Sequence, residues 1–306
     1  MLHTAARTRA LFATTLSAGL LAVGTATPVL AADAGAGSGG TLFGSCVQML
    51  PGETWPEAVD RVDDTYNGLD AVRLFSGAPA DWTPAKFASA LGGREAVISF
   101  KIEPAEVLSG MYDDDFRTFF NNAPTNRPTW WSYLHEPDVA FAQGRLTDLA
   151  QYRAAFTRVA LLARQARNPA LKTTLVLFGY SGNERSGQDI TDYWPGDALT
   201  DVIAWDIYNG WATRQGFYGE MGQIEHDRDA ARAVGKPWAI AEFGSVLLPG
   251  DDGSGRAAWL REITRYAKDN GALFATYFDS NGGPNGTDYR LTDAPSRNAW
   301  RDIVAS

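Results

Sequence analysis

The chain has 306 residues, is 45% hydrophobic and 12% aromatic, and carries a formal net charge of -9. This composition is typical of a soluble globular protein with a large core, and the acidic excess argues against a nucleic-acid partner. The sequence also lacks a polybasic run that would favour binding to a membrane surface.

The first 31 residues have the features of a secretory signal peptide. Arg7 and Arg9 give a positive start, an apolar run covers residues 11–24, and small residues stand near position 31. Residues 32–40, rich in Gly and Ala, predict a flexible linker. We therefore expect a secreted, extracellular protein without a membrane segment after cleavage; an uncleaved N-terminal anchor is the alternative.

From Thr41 onward, apolar segments alternate with amphipathic helices. Helix starts are marked by capping patterns, such as Thr54 with Glu57 and Thr83 followed by Pro84. The predicted strands cover residues 41–47, 70–75, 95–101, 129–136, 173–180, 201–209, 237–245 and 272–280.

Eight apolar strands, nearly each followed by a helix, predict an α/β fold of the (β/α)8 TIM-barrel type, formed as a single domain by residues 41–306. A doubly wound open sheet is the alternative. It is disfavoured because no glycine-rich phosphate-binding motif follows the first strand.

Two of these strands carry a glutamate at the end of an apolar run. Glu136 closes the segment Leu134-His135-Glu136-Pro137, and Glu242 follows Ile240-Ala241. Active sites of such barrels lie at the carboxyl ends of the strands. A lone acid at a strand end is usually a cap or a surface residue, but two acids facing one cleft can cleave a glycosidic bond.

Other chemistries have little support in the sequence. No H-E-x-x-H motif, cysteine cluster or G-x-S-x-G elbow is present, so we expect neither a metal nor another cofactor. The single cysteine, Cys46, lies in an apolar strand and predicts an inert buried thiol without an internal disulfide.

Three segments resemble glycoside hydrolase family 26, a family of the large clan of retaining (β/α)8 hydrolases. They are "YLHEPD" at 133–138, "YWPGDALTDVIAWDIYNGW" at 193–211 and "KPWAIAEFGS" at 236–245. The resemblance implies that Glu136 is the general acid/base and Glu242 the nucleophile. It also implies that His135 contacts the acid/base or the sugar, and that Tyr208 and Arg73 lie close to the nucleophile.

Aromatic side chains are candidates for stacking on sugar rings, although core packing is the more common role of such residues. The candidates are Trp131, Trp205 and Trp211. Much of the clan ends strand eight with a tryptophan under the cleaved sugar, whereas this chain has Tyr277 and Phe278 there. Tyr277 is the expected replacement for this tryptophan, unless a residue of another element packs under the cleaved sugar. Four further acids are expected to have support roles at most: Glu103, Asp138, Asp206 and Asp279.

The sequence thus predicts a secreted, monomeric, retaining endo-glycosidase whose partner is a β-linked polysaccharide or oligosaccharide. Within the resemblance, β-mannan is the leading substrate, followed by β-glucan and β-xylan. The non-enzymatic alternative is a barrel that binds glycans without cleaving them. For a retaining enzyme the two carboxyl groups are expected to lie about 5–5.5 Å apart.

Overall fold

The computed structural model describes residues 40–209, 221–283 and 286–306. The predicted signal peptide, residues 32–39 of the predicted linker and the candidate Trp211 lie outside these ranges, so those predictions stay open.

Eight parallel strands close into a barrel in chain order, with β1 paired to β8. This confirms the predicted (β/α)8 fold. The strands are β1 (Leu42–Cys46), β2 (Ala71–Ser76), β3 (Glu95–Phe100), β4 (Thr129–Tyr133), β5 (Leu171–Phe178), β6 (Val202–Asn209), β7 (Trp238–Ser245) and β8 (Phe274–Tyr277). Because all strands run the same way, their carboxyl ends meet at one rim.

Helices cover the outside of the barrel. Those of the described residues are α1 (Trp55–Tyr66), α2 (Pro84–Leu91), α3 (Pro104–Ser109), α4 (Asp113–Asn122), α5 (Pro137–Ala142), α6 (Leu149–Gln165), α7 (Met221–Ala233), α8 (Ser254–Asp269) and α9 (Ala294–Val304). The connection from β5 to β6 differs from the others, because short 3-10 turns replace an α-helix between Gly179 and Leu199.

The sequence signals for helix starts correspond to observed contacts. The backbone N–H of Thr54 donates to Glu57 Oε2 at 2.8 Å at the start of α1. At the start of α2, Thr83 Oγ1 accepts from the backbone N–H of Lys86 at 3.2 Å. Each bond satisfies a polar group that the first helical turn leaves open.

Two apolar layers follow from the alternation of side chains along the strands. The outer layer, between strands and helices, contains Trp131, Trp205 and Phe243 among many others. The inner layer fills the barrel with one or two residues from most strands, including Trp130, Val176 and Phe274. Polar side chains on the inner face above this layer are therefore positioned at the rim.

None of the helices in the described ranges combines the length and the apolar character that a membrane span requires.

Candidate active site

Glu136 lies three residues after the end of β4, where the backbone turns sharply. Leu134 has φ 46° and Glu136 has φ 52°, so two non-glycine residues adopt left-handed backbone conformations within three positions. Such conformations cost on the order of 1–3 kcal/mol each and are found most often at functional sites. The Glu136 N–H donates to the carbonyl of Val176 on β5 at 2.9 Å, and Pro137 begins α5 directly afterwards.

Glu242 faces the barrel because β7 contains a bulge. The register changes from Trp205 opposite Ile240 to Asp206 opposite Glu242, so Ala241 is an additional residue in β7. A bulge reverses the facing of the residues that follow it. Ala241 packs in the inner layer and Phe243 in the outer one, while Glu242 points inward beside Ala241.

Both carboxylate oxygens of Glu242 are hydrogen bonded. Arg73 Nη2 donates to Oε1 at 2.7 Å, and the Tyr208 hydroxyl donates to Oε2 in a short hydrogen bond. Arg73 and Glu242 have side-chain exposures of only 1% and 6%, so water competes little with their ion pair. A carboxylate held at both oxygens has a fixed orientation.

Arg73 is itself held in place. Its Nη1 donates to Ser99 Oγ on β3 at 2.8 Å and to the Leu74 carbonyl at 3.2 Å. Its guanidinium carbon lies 4.3 Å from the centroid of the Phe75 ring, a cation–π contact. The structure therefore brings Arg73 and Tyr208 to Glu242, where the sequence predicted them.

The environment of Glu136 is different. Burial, followed by the negative charges of Glu242 and Asp138, raises the pKa of Glu136 from 4.5 to about 8. At neutral pH Glu136 is thus a protonated acid able to donate its proton. Glu242, by contrast, accepts hydrogen bonds from a cation and a phenol.

His135 directly precedes Glu136, packs against Phe75 and stays uncharged. Its ring centroid is 5.2 Å from that of Phe75. Burial, followed by the positive charge of Arg73, holds the pKa of His135 well below its ordinary value of 6.5. Its Nδ1 is buried and has no hydrogen-bond partner among the described residues.

Asp206 is a further acid of the site. It is fully buried, and neither of its carboxyl oxygens has a hydrogen-bond partner within the described ranges. Burial, then the charges of Glu242 and Glu136, raise the pKa of Asp206 well above its ordinary value. Asp206 lies next to Glu242 in the register of β6 and β7.

Asp138 has a structural role. Its Oδ2 accepts from the backbone N–H of Phe178 at 3.0 Å and from the Ser181 hydroxyl in a short hydrogen bond. These bonds join α5 to the connection after β5. Burial raises the pKa of Asp138 to about 6.

The predicted sugar-stacking role is wrong for three residues, of which Trp205 is fully buried in the outer layer. Trp131 is fully buried in the outer layer, with its ring 4.9 Å from Phe120. Tyr277 is also fully buried and faces outward, with its ring 5.3 Å from Phe243 and 5.7 Å from Trp300. The cause is the alternation along each strand, since the neighbours Trp130 and Phe278 take the inner positions.

The structure adds two aromatic residues to the neighbourhood of Tyr208. The ring centroid of Phe278 is 5.7 Å from that of Tyr208, and the ring of Tyr289, from the connection after β8, is 4.8 Å away. Phe278 could have been found from the parity of β8. Tyr289 gives no such signal, because it lies in a connection without periodicity.

No group of His, Cys, Asp and Glu side chains within the described part of the chain is arranged to hold a metal ion.

Solved structures with the same fold include glycoside hydrolases. A modular endo-β-1,4-mannanase of glycoside hydrolase family 26 from Cellulomonas fimi is similar with a TM-score of 0.62 and 15% identity, over 87% of this chain and 71% of that chain. A family 26 β-mannanase from Bacteroides ovatus is similar with a TM-score of 0.58 and 12% identity, over 89% of this chain and 90% of that chain. No protein-family model and no curated protein sequence matches the chain.

A third similar structure belongs to another family. It is an endo-β-1,3-glucanase of family 128 from Amycolatopsis mediterranei in complex with laminaripentaose, with a TM-score of 0.51 and 15% identity over 86% of this chain and 100% of that chain. At these identities the likeness establishes the fold: the chain is a (β/α)8 barrel similar to those of family 26 mannanases.

Proposed function

We propose that the chain is a retaining glycoside hydrolase that cleaves a β-linked polysaccharide. One observation carries the proposal: two glutamates at the same rim of the barrel have opposite environments. Glu136 is a partly buried acid with a raised pKa, and Glu242 is bound by Arg73 and Tyr208. A proton donor at the same rim as a carboxylate held in a fixed orientation is what double displacement at a sugar requires.

The reaction has two steps. In the first, an oxygen of Glu242 attacks the anomeric carbon, the bond to the leaving sugar breaks, and Glu136 gives its proton to the leaving oxygen. In the second, Glu136, now a carboxylate, takes a proton from water, and that water displaces Glu242 from the anomeric carbon. Arg73 and Tyr208 keep the Glu242 carboxylate oriented, and His135 offers a neutral imidazole to a hydroxyl of the sugar.

β-Mannan is the leading substrate, and an internal, endo-type cleavage is expected. The motifs "YLHEPD" and "KPWAIAEFGS" resemble family 26, and two of the structural neighbours named above are mannanases. The family 128 neighbour is an endo-β-1,3-glucanase, which keeps β-glucan as an alternative. β-Xylan remains the further alternative within the resemblance. The signal-like residues 1–31 support secretion of the enzyme, and a monomer is expected.

The test is the release of reducing ends from a panel of β-mannan, mixed-linkage β-glucan, β-1,3-glucan and β-xylan, with the products sized by chromatography. Hydrolysis by the wild-type protein, lost in both Glu136→Ala and Glu242→Ala, supports the proposal. Retention of the protein on a polysaccharide gel without any hydrolysis would instead identify a glycan-binding barrel. Activity unaffected by Glu242→Ala would exclude the nucleophile assignment.

A further inference from the structure

A residue outside the barrel strands packs directly on the tyrosine that holds Glu242. Tyr289 lies between β8 and α9 and is 4% exposed. Its ring centroid is 4.8 Å from that of Tyr208, with 38° between the two planes. Phe278 contacts the same Tyr208 ring edge-on, at 5.7 Å and 88°. The Tyr208 ring is therefore restrained by two neighbouring aromatic rings.

Two glycines make room for Tyr289. A Cβ atom on Gly244 would lie 3.0 Å from Cδ1 of Tyr289 and 3.2 Å from Cδ1 of Tyr208. A Cβ atom on Gly283 would lie 2.6 Å from Cε2 of Tyr289. Any larger residue at either position would push the Tyr289 ring, so the close packing of Tyr289 depends on both glycines.

The backbone that carries Tyr289 is also fixed. Its N–H donates to the Ser280 carbonyl at 2.9 Å, and its carbonyl accepts from the Tyr277 hydroxyl at 2.6 Å. Two residues later, the Leu291 N–H donates to Asp279 Oδ1 at 2.9 Å. The ring therefore reaches Tyr208 from a rigid support rather than from a freely moving chain.

The Tyr208 hydroxyl can hold Oε2 of Glu242 only while its own ring stays in place. We infer that Tyr289 is a positioning residue: its ring fixes Tyr208, and Tyr208 in turn fixes the orientation of Glu242. The inference rests on the proposed function, because it assigns Glu242 as the attacking group. Since Arg73 still binds Oε1, loss of the Tyr289 ring should misorient the carboxylate without removing it.

The experiment compares the kcat and KM of Tyr289→Ala, Tyr289→Leu and Tyr289→Phe with those of the wild-type enzyme. Misplacing a reacting group by an ångström costs on the order of 10²-fold in rate, so Tyr289→Ala and Tyr289→Leu should lose up to about 10²-fold in kcat. Their KM should change little, because Tyr289 is buried. Tyr289→Phe keeps the ring and should restore most of the kcat.

A double-mutant cycle separates positioning from simple packing. In a Tyr208→Phe background the hydroxyl is absent, so Tyr289→Leu should cause little further loss of kcat. Equal losses in both backgrounds would overturn the inference. A loss in Tyr289→Phe as large as that in Tyr289→Leu would also overturn it, because the ring would then not be the acting group.

Phe87→Ala is the matched control. Phe87 packs between two aromatic rings, Trp82 at 5.0 Å and Phe119 at 5.3 Å, but on the helix side of the barrel. Its loss should lower the melting temperature and leave the kcat of the folded protein unchanged. If the wild-type enzyme cleaves no polysaccharide, the proposed function itself is wrong. If the enzyme is active but the losses of kcat from the Tyr208 and Tyr289 substitutions simply add, only the positioning role of Tyr289 is wrong.

Discussion

Glu242 lies opposite Asp206 across β6 and β7, and Ala241 is the additional residue that makes this register possible. Without the bulge, Ala241 would take the position opposite Asp206, and Glu242 would face the helices with Ile207. One residue of β7 thus decides whether the carboxylate reaches Arg73. It also places a second buried acid, Asp206, beside the proposed nucleophile.

Replacing Glu242 by Ala should abolish hydrolysis and leave space beside the anomeric carbon. Azide can enter this space and attack an activated aryl β-glycoside whose leaving group needs no proton. We expect an inverted, α-configured glycosyl azide, identified by NMR of the product. A β-configured azide from this variant would mean that another residue is the nucleophile.

Replacing Glu136 by Ala should lower kcat/KM on polysaccharide by about 10²–10⁴-fold, because the leaving oxygen is no longer protonated. Aryl glycosides with acidic phenols should lose much less in the first step. Azide should then give a product with retained configuration, since the covalent intermediate on Glu242 still forms. Equal losses for acidic and weakly acidic leaving groups would exclude Glu136 as the acid.

The pH dependence follows from the raised pKa of Glu136, which burial and the charge of Glu242 bring to about 8. The protonated form is the active one, so kcat/KM should be maintained through neutral pH and fall as the pH rises past about 8. Glu136→Gln with an activated aryl glycoside should lack this descending limb. An unchanged limb in that variant would assign the titration to another group.

The same group affects folding stability. Its pKa is higher in the folded protein than in the unfolded chain, so the folded state loses stability as the pH rises from about 4.5 to about 8. Glu136→Gln should become more stable relative to the wild-type protein across this window, as measured by urea unfolding at several pH values. A constant difference would contradict the raised pKa.

The position of Trp131 in the outer layer can be tested by substitution. Its ring lies 4.9 Å from Phe120 and 6.0 Å from Phe156, so Trp131→Ala should lower the free energy of unfolding by about 3–5 kcal/mol. The KM of the folded variant should stay close to that of the wild-type enzyme. A large rise in KM with little loss of stability would restore a role in sugar stacking.

The fold could be predicted from the sequence because long apolar runs and capping patterns mark each strand and helix independently. Which face of a strand a residue occupies was harder to predict. Strands of a parallel barrel are buried on both sides, so the pair Trp130 and Trp131 gives no sign of which ring faces inward. The error at Tyr277 has the same origin.

Only part of the candidate site could be predicted from the sequence. Glu136 follows β4 and Glu242 lies in the carboxyl-terminal half of β7, where position along the chain largely fixes position at the rim, whereas Arg73 and Tyr208 were predicted from the resemblance to family 26. The bulge at Ala241 and the contact of Tyr289 depend on register and loop packing. Neither leaves a periodic trace in the sequence, since the bulge is a single additional apolar residue within an apolar strand.

The stereochemical outcome tests the central claim of the proposed function. Direct attack by a carboxylate requires the two carboxyl groups to lie about 5–5.5 Å apart, whereas an intervening water requires roughly 6.5–9.5 Å. The ion pair with Arg73 and the bond from Tyr208 orient Glu242 as an attacking group, so we expect the shorter separation and overall retention. Proton NMR of the first-formed product from a β-linked oligosaccharide should therefore show the β-anomer before mutarotation. If the α-anomer forms first, Glu242 acts as a general base on water, and Arg73 and Tyr208 orient a base rather than a nucleophile.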